Sequence, residues 1–324
     1  MHILVTGGAG YIGAQCCKLL AQSGYIPVVY DNLSNGHRSF VRWGPFEYGD
    51  ILDASRLTEV ALKYKPAAAM HFAGLAYVGE SMSEPARYFR NNVCGSLTLL
   101  EVLRNCSVSN LIFSSSCATY GIPEAVPIVE SQEQRPINAY GRTKLIVEQA
   151  IHEFSRAYGL RSTILRYFNA AGADPDGEIG EWHTPETHVI PLVLMAAKGV
   201  TSNFNLFGDD YATPDGTCVR DYVHVSDLAK AHLLALKALL SGHEPGVLNI
   251  GTGKGYSIRE VIDGALAVTK KSINVTVSPR REGDPPILVA NPSRIRETLQ
   301  WEPIHSELPS ILESAWKWMN RDCE

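Results

Sequence analysis

Hydrophobic positions along the first half of the chain alternate between two periods. Short apolar runs at His2–Thr6, Ile26–Tyr30, Phe46–Tyr48, Ala67–Phe72, Leu111–Phe113 and Thr163–Phe168 have the length and composition of strands. Between them, Ala14–Gln22, Asp53–Tyr64 and Pro85–Arg104 are compatible with helices. A further helix is predicted from Tyr140, where Leu145, Ile146, Ala150, Ile151, Phe154 and Ala157 form one packed face. Ala67–Phe72 is almost wholly apolar, as expected of a strand covered on both sides. Strands alternating with helices predict an α/β fold: a Rossmann-type, doubly wound parallel sheet with right-handed crossovers.

After Phe168 the pattern changes. Ala173–Thr187 is rich in glycine, proline and charge, which suits a substrate loop. Arg220–Val225, a helix Ser226–Leu240 and a strand Val247–Ile250 predict a return to the sheet. The remainder, with an apolar helix near Ile311–Met319, predicts a smaller mixed α/β lobe. The expected organisation is therefore 1–168 plus 221–250 for the sheet-bearing domain and 169–220 plus 251–324 for the second.

Composition narrows the class. The 324 residues are 45% hydrophobic, enough for two cores, and the net charge of −5 gives no sign of a nucleic-acid or membrane surface. Seven cysteines (Cys16, Cys17, Cys94, Cys106, Cys117, Cys218, Cys323) are scattered, odd in number and without a C-x-x-C pair. They indicate neither a disulfide framework nor a zinc site. Met1-His2 runs directly into the first strand, leaving no room for a signal peptide, and no apolar run approaches a membrane span. A soluble cytoplasmic protein is expected.

Candidate chemistry gathers at the strand ends. Gly7, Gly10 and Gly13 follow the first strand and open a helix, where bare backbone and free N–H groups suit a pyrophosphate. Asp31, at the tip of the second strand, can accept hydrogen bonds from a ribose diol and would repel a 2′-phosphate. NAD is therefore expected rather than NADP, with Arg38 nearby as a counter-indication. Asp50-Ile51 ends the third strand, where an adenine could pack; Asp50 serves equally as a helix cap. Ala73-Gly74 ends the fourth and suits close approach by a ligand. Ser114-Ser115-Ser116 ends the fifth. Because ligands in such sheets bind beyond the carboxyl ends of the strands, one crevice can collect all of these.

Tyr140 and Lys144, four apart on a helix started by Pro136 and Asn138, share a face. Tyrosine normally holds its proton to about pH 10, and a neighbouring ammonium favours the phenolate, making a general base usable nearer neutrality.

With these residues in place, the chain resembles the extended short-chain dehydrogenases/reductases and, among them, the UDP-glucose 4-epimerase family. The resemblance covers nearly the whole chain. It runs through Val5–Gly13, Asp31-Asn32, His71–Gly74, Val78–Ser81, Asn91–Val93, Phe113–Ser116, Tyr140–Lys144, Leu165–Asn169, Val219–Val225 and Arg280–Asp284. It implies NAD that is reduced and reoxidised within each turnover, with Tyr140 as base on the sugar 4-hydroxyl. Ser116 would bond the same oxygen, and Lys144 would hold the nicotinamide ribose. Tyr11, Ile12, Asn32, Phe72, Asn91, Ser114 and Tyr167 are further cofactor-side positions. The keto sugar would then turn about its diphosphate, so the nucleotide must be gripped and the hexose held loosely. Arg220 and Arg281 are suitable diphosphate clamps, since guanidinium groups make paired bonds to phosphate oxygens. Their alternative partners are Asp221 and Glu282. Asn169 would reach the diphosphate or sugar, Asp284 a uridine ribose hydroxyl, and His188 lies in a pocket wall. The resemblance also implies a homodimer through Pro85–Arg104 and Gly141–Tyr158.

Departures from that pattern bear on substrate. Ala76-Tyr77 stands where many relatives carry a lysine. Leu288 stands where some place a tyrosine that restricts the pocket to plain hexoses, leaving UDP-N-acetylhexosamines or UDP-xylose/UDP-arabinose as alternative substrates. No acid follows Ser116, which argues against dehydratase or decarboxylase chemistry, and retention of both Tyr140 and Lys144 argues against a non-catalytic NAD sensor. His183 and His188 have no standard ligand spacing, so no metal is assigned.

Overall fold

A computed structural model describes residues 1–281 and 284–321. The seven predicted apolar runs form one parallel sheet: β1 (His2–Thr6), β2 (Ile26–Asp31), β3 (Phe46–Tyr48), β4 (Ala68–His71), β5 (Asn110–Ser116), β6 (Arg161–Tyr167) and β7 (Gly246–Ile250). They lie in the order 3-2-1-4-5-6-7, each neighbouring pair parallel. The chain reverses direction across the sheet between β1 and β4, which opens a crevice above their carboxyl ends.

Five helices cover the sheet: α1 (Tyr11–Gln22), α2 (Ala54–Tyr64), α3 (Gly95–Asn105), α4 (Ala139–Tyr158) and α5 (Val225–Leu240). Alternation along β1 divides the core. Ile3 and Val5 pack in a cluster with residues of α1 and α5, whereas Leu4 packs with residues of α2, α3 and α4. Helix α4 begins where Asn138 Oδ1 accepts the Gly141 N–H at 2.8 Å and ends at Gly159 with φ of 70°.

Two expectations need correction. Pro85–Arg104 is not one regular helix. A single turn at Pro85–Tyr88 passes into a π-helical segment, Phe89–Cys94, before α3. The wider turn turns Asn91 to the crevice while the neighbouring Asn92 is buried, its amide bonded to Leu75 N–H, Leu75 C=O and Thr143 of α4. Arg220–Val225 does not rejoin the main sheet either. Val219–Arg220 pairs with Tyr256–Ser257 and Ile287–Leu288, and Tyr222–His224 pairs with Asn169–Ala171. The cause is Asp221 between them. Its fully buried carboxylate needs local donors and finds Thr252 N–H and hydroxyl, Gly253 N–H and Ala290 N–H.

A second core joins Ile190, Val193 and Leu194 to Leu206, Val261, Ile262, Ile311 and Leu312. It is tied to the sheet through Lys18 on α1, whose ammonium meets Asp174 at 2.7 Å, Asp176 at 2.6 Å and Glu178 at 2.7 Å. Among the described residues no helix is long and apolar enough to cross a membrane.

Helix α4 is fastened to β5 and β6 by a buried ionic network. Glu148 accepts Arg166 Nε at 3.0 and 3.1 Å, Arg166 Nη2 at 2.5 Å and the Ser115 hydroxyl, while Arg166 Nη1 reaches the Tyr120 hydroxyl at 2.9 Å. Removing one member of such a pair strands the other charge in the interior. Arg166→Met is therefore expected to cost about 3–5 kcal/mol in urea unfolding; a loss below about 1 kcal/mol would show that the network is not what seats the helix.

Candidate active site

The strand ends converge as the sequence predicts. Gly7 follows β1 with φ of +73°, and a Cβ there would stand 2.5 Å from Ala73 N. Bare backbone thus lets the β1 turn pack against the β4 turn. A Cβ at Gly13 would meet Gly7 O at 2.2 Å, so that glycine seats α1 on the turn. Gly10 caps α1 without a side chain, leaving the first-turn N–H groups facing the crevice. Tyr11 and Ile12 line it beside them, and the Tyr11 hydroxyl donates to Gly172 O at 2.6 Å.

Asp31 lies at the crevice with its carboxylate accepting Ala9 N–H at 3.0 Å and Leu33 N–H at 2.8 Å. Burial pushes its pKa up and these two bonds oppose the shift. A carboxylate has about four acceptor positions, so capacity for a diol remains. Arg38 is turned elsewhere: its guanidinium donates to Val41 O at 3.3 Å and covers the Phe46 ring at 4.8 Å. Asn32, Ile51, Phe72, Ala73, Gly74, Asn91 and Tyr167 also line the crevice. Asp50 is not among the lining residues; it accepts Asn32 Nδ2 at 2.8 Å and Leu52 N–H at 2.8 Å, while Asp53 caps α2.

Tyr140 and Ser116 face the same space, both nearly buried. Lys144 lies behind them, its amine donating to Ser114 O at 2.7 Å and standing 5.8 Å from the Tyr140 ring centre. Ser114 itself bonds the Tyr167 hydroxyl. The expected lowering of the tyrosine pKa does not arise from protein groups alone. Burial pushes Tyr140 up to about 12, and Ser116 only partly offsets it. The lysine is spent on a carbonyl, and burial lowers its own pKa to about 8 against the pull of Glu148.

The other side of the crevice carries Asn169, Arg220, Asp284, Leu288 and His188. Arg220 meets Asp284 at 3.5 Å rather than its neighbour Asp221, and also donates to Val219 O at 3.0 Å. Asn169 Oδ1 is buried with no hydrogen-bond partner among the described residues, so it is an acceptor aimed at something other than protein. Arg281 does not line the crevice; its guanidinium lies 3.9 Å from the Phe207 ring centre, and its alternative partner Glu282 falls outside the described residues.

Glu181, Trp182, His183 and His188 line the crevice as the pocket wall expected from sequence at Glu181–His188, whereas Tyr77 and Asn138 line it without having been expected as site residues. Only Asn138 carried a signal, and that signal was spent on its role as a cap. His188 sits between two acids, with Glu181 at 2.7 Å and Glu186 at 3.1 Å. Burial alone would lower its pKa, but the two carboxylates outweigh that and push it up to about 10.

A family description, NAD dependent epimerase/dehydratase, matches residues 3–251. The chain belongs to that family. A UDP-glucose 4-epimerase of Rhizobium meliloti is 55% identical over 99% of this epimerase/dehydratase chain and 97% of its own. The crystal structure of a UDP-glucose 4-epimerase from Brucella ovis in complex with NAD superposes with a TM-score of 0.95 at 54% identity, covering 97% of each chain. A Bifidobacterium longum UDP-glucose 4-epimerase, solved with NAD+ and UDP, superposes at 0.94 with 34% identity over 98% of each. The family's dinucleotide fits what this chain presents: a side-chain-free turn, an acid lining the crevice with spare acceptor capacity, and an Arg38 turned away from it.

The buried ammonium of Lys144 has a measurable signature. In the unfolded chain a lysine stays protonated to about pH 10.4, so between pH 8 and that value the unfolded state binds more protons. Stability from this group is therefore lowest below pH 8 and rises above it. Relative to Lys144→Met, wild type should gain stability in thermal unfolding as pH is raised from 8 to 10; a constant difference would mean that the amine titrates normally.

Proposed function

We propose that the protein catalyses NAD-dependent epimerisation of a UDP-sugar at C4, with UDP-glucose and UDP-galactose as substrates. The observation that carries the reading is the convergence of Tyr140 and Ser116 with the glycine turn, Asp31 and the Asn169–Arg220–Asp284 wall in one crevice. Bound NAD supplies a reversible acceptor for the C4 hydride and, when oxidised, a positive charge. Tyr140 takes the proton of the 4-hydroxyl and later returns it to the same oxygen, after the 4-keto sugar has turned so that the hydride would come back to the opposite face of C4. Ser116 bonds the same oxygen in both directions. Lys144 holds the nicotinamide ribose, while the charge that lowers the phenol's affinity for its proton comes from the oxidised ring. Arg220 grips the diphosphate, and Asn169 and Asp284 hold the nucleotide end; Arg281 would have to leave the Phe207 ring to act as a second clamp. A gripped nucleotide and an apolar wall at Leu288 let the hexose turn without release.

The narrow reading of the sugar rests on the relatives' names. Leu288 is small enough that UDP-N-acetylhexosamines are the second reading, with UDP-xylose/UDP-arabinose beside them. A homodimer through Pro85–Arg104 and Gly141–Tyr158 and a cytoplasmic location belong to the same proposal, as does the two-domain division at 168/169, 220/221 and 250/251.

Tyr140→Phe keeps the ring and removes the proton acceptor. Turnover of UDP-galactose should fall by about 10²–10⁴-fold while NAD still co-purifies, since positioned acid–base catalysis is of that size. Undiminished turnover, or activity on a UDP-pentose with none on UDP-glucose, would overturn the assignment.

A further inference from the structure

The segment Glu181–His188 forms one wall of the crevice, and four of its side chains meet there. Glu181, His183, Glu186 and His188 each bring a ligand atom within 4.8 Å of the other three. His183 Nδ1 stands 3.6 Å from Glu181 Oε1 and 3.5 Å from Glu186 Oε2. Those separations are too long for hydrogen bonds, and the nitrogen is buried with no hydrogen-bond partner among the described residues. They are the separations that a shared ion would impose. Metal–ligand bonds of about 2.0–2.2 Å in a tetrahedron hold neighbouring ligand atoms about 3.3–3.6 Å apart. His188 Nδ1, at 2.7 and 3.1 Å from the same two carboxylates, would open by only a few tenths of an ångström to complete the set.

We propose that Glu181, His183, Glu186 and His188 bind one divalent transition-metal ion of the zinc class in the wall of the crevice. Two carboxylates balance the ion's two charges, and two imidazole nitrogens supply the borderline ligands that favour zinc over calcium or magnesium. A second acidic cluster in the chain shows the contrast. Asp174, Asp176 and Glu178 also lie within ligand distance of one another, but the Lys18 ammonium fills that space. No lysine or arginine is paired with Glu181 or Glu186 among the described residues.

The surroundings are those of a supported site. Glu186 Oε1 is oriented by the N–H groups of Thr187 at 2.7 Å and His188 at 2.9 Å, and Trp318 Nε1 holds Glu181 O at 3.1 Å. Trp182 stacks on His37 at 4.3 Å, and Tyr77 meets His183 edge-on at 5.7 Å. The His188 side chain is 40% exposed, so an ion can reach the cluster through the crevice. Four protein ligands close the coordination sphere, which marks a structural ion rather than a catalytic one. It pins a wall segment and fixes the His188 ring with Nε2 left over. The spacing of the histidines alone concealed this, because the two glutamates supply half the ligands.

The test uses the full chain, stripped with a chelator and titrated with Co2+ and then Zn2+ in the absence of any nucleotide sugar. One Co2+ per chain is expected, with the intense visible bands of four-coordinate cobalt, displaced by one equivalent of Zn2+. His183→Ala and Glu186→Gln should each weaken binding by at least about 10-fold. His183→Cys, which restores a ligand, should recover binding with a thiolate–cobalt charge-transfer band. Asp176→Asn should change nothing. Retained NAD shows that each variant is folded. Absence of stoichiometric binding, a six-coordinate cobalt spectrum, or equal binding by the His183 and Glu186 variants would overturn the site. The readout needs no turnover, so it stands or falls separately from the epimerase reading.

Discussion

One face of helix α4 governs the crevice. Glu148, Lys144 and Tyr140 are spaced four apart along it, and each engages the end of β5: Glu148 the Ser115 hydroxyl, Lys144 the Ser114 carbonyl, and Tyr140 the space in front of Ser116. The carboxylate at the deep end is locked by Arg166 of β6, so helix and strands are fixed by charge-assisted bonds in the interior. That contact seats the face of α4 that carries Tyr140 opposite Ser116 in the crevice. A looser seat would spoil both partners at once, which is why an expensive buried ion pair sits directly beneath a site that needs accurate placement.

Much of this was legible in sequence because it depends on local periodicity and strand ends. All seven main strands, the glycine turn and the Tyr140–Lys144 face follow from spacing alone, and the parallel order places their ends together. What the sequence hid depends on contacts between distant segments. The π-helical turn at Phe89–Cys94 has the composition of an ordinary helix, and only the pairing of Asn92 with Leu75 and Thr143 reveals it. Arg220–Val225 has strand composition, but Asp221 finds its four donors in residues 252, 253 and 290, which no window around it contains. The partner of Arg220 proved to be Asp284, 64 positions away, rather than the acid beside it.

The electrostatics divide between what the polypeptide does and what its dinucleotide adds. Protein groups leave Tyr140 protonated and turn the Lys144 ammonium onto a carbonyl. The chain thus supplies geometry and a buried, low-dielectric site in which any added charge acts strongly. On the proposed function, the phenol held protonated by the protein alone would lose its proton more readily beside a positively charged ring, which would couple readiness for proton removal to readiness for hydride acceptance.

That coupling can be measured on the tyrosine itself. Phenolate absorbance, taken as the difference between wild type and Tyr140→Phe, is titrated in protein loaded with oxidised NAD and again with the reduced form. The account predicts that Tyr140 ionises at markedly lower pH against the positively charged ring than against the neutral one. Identical titrations in the two redox states would contradict it.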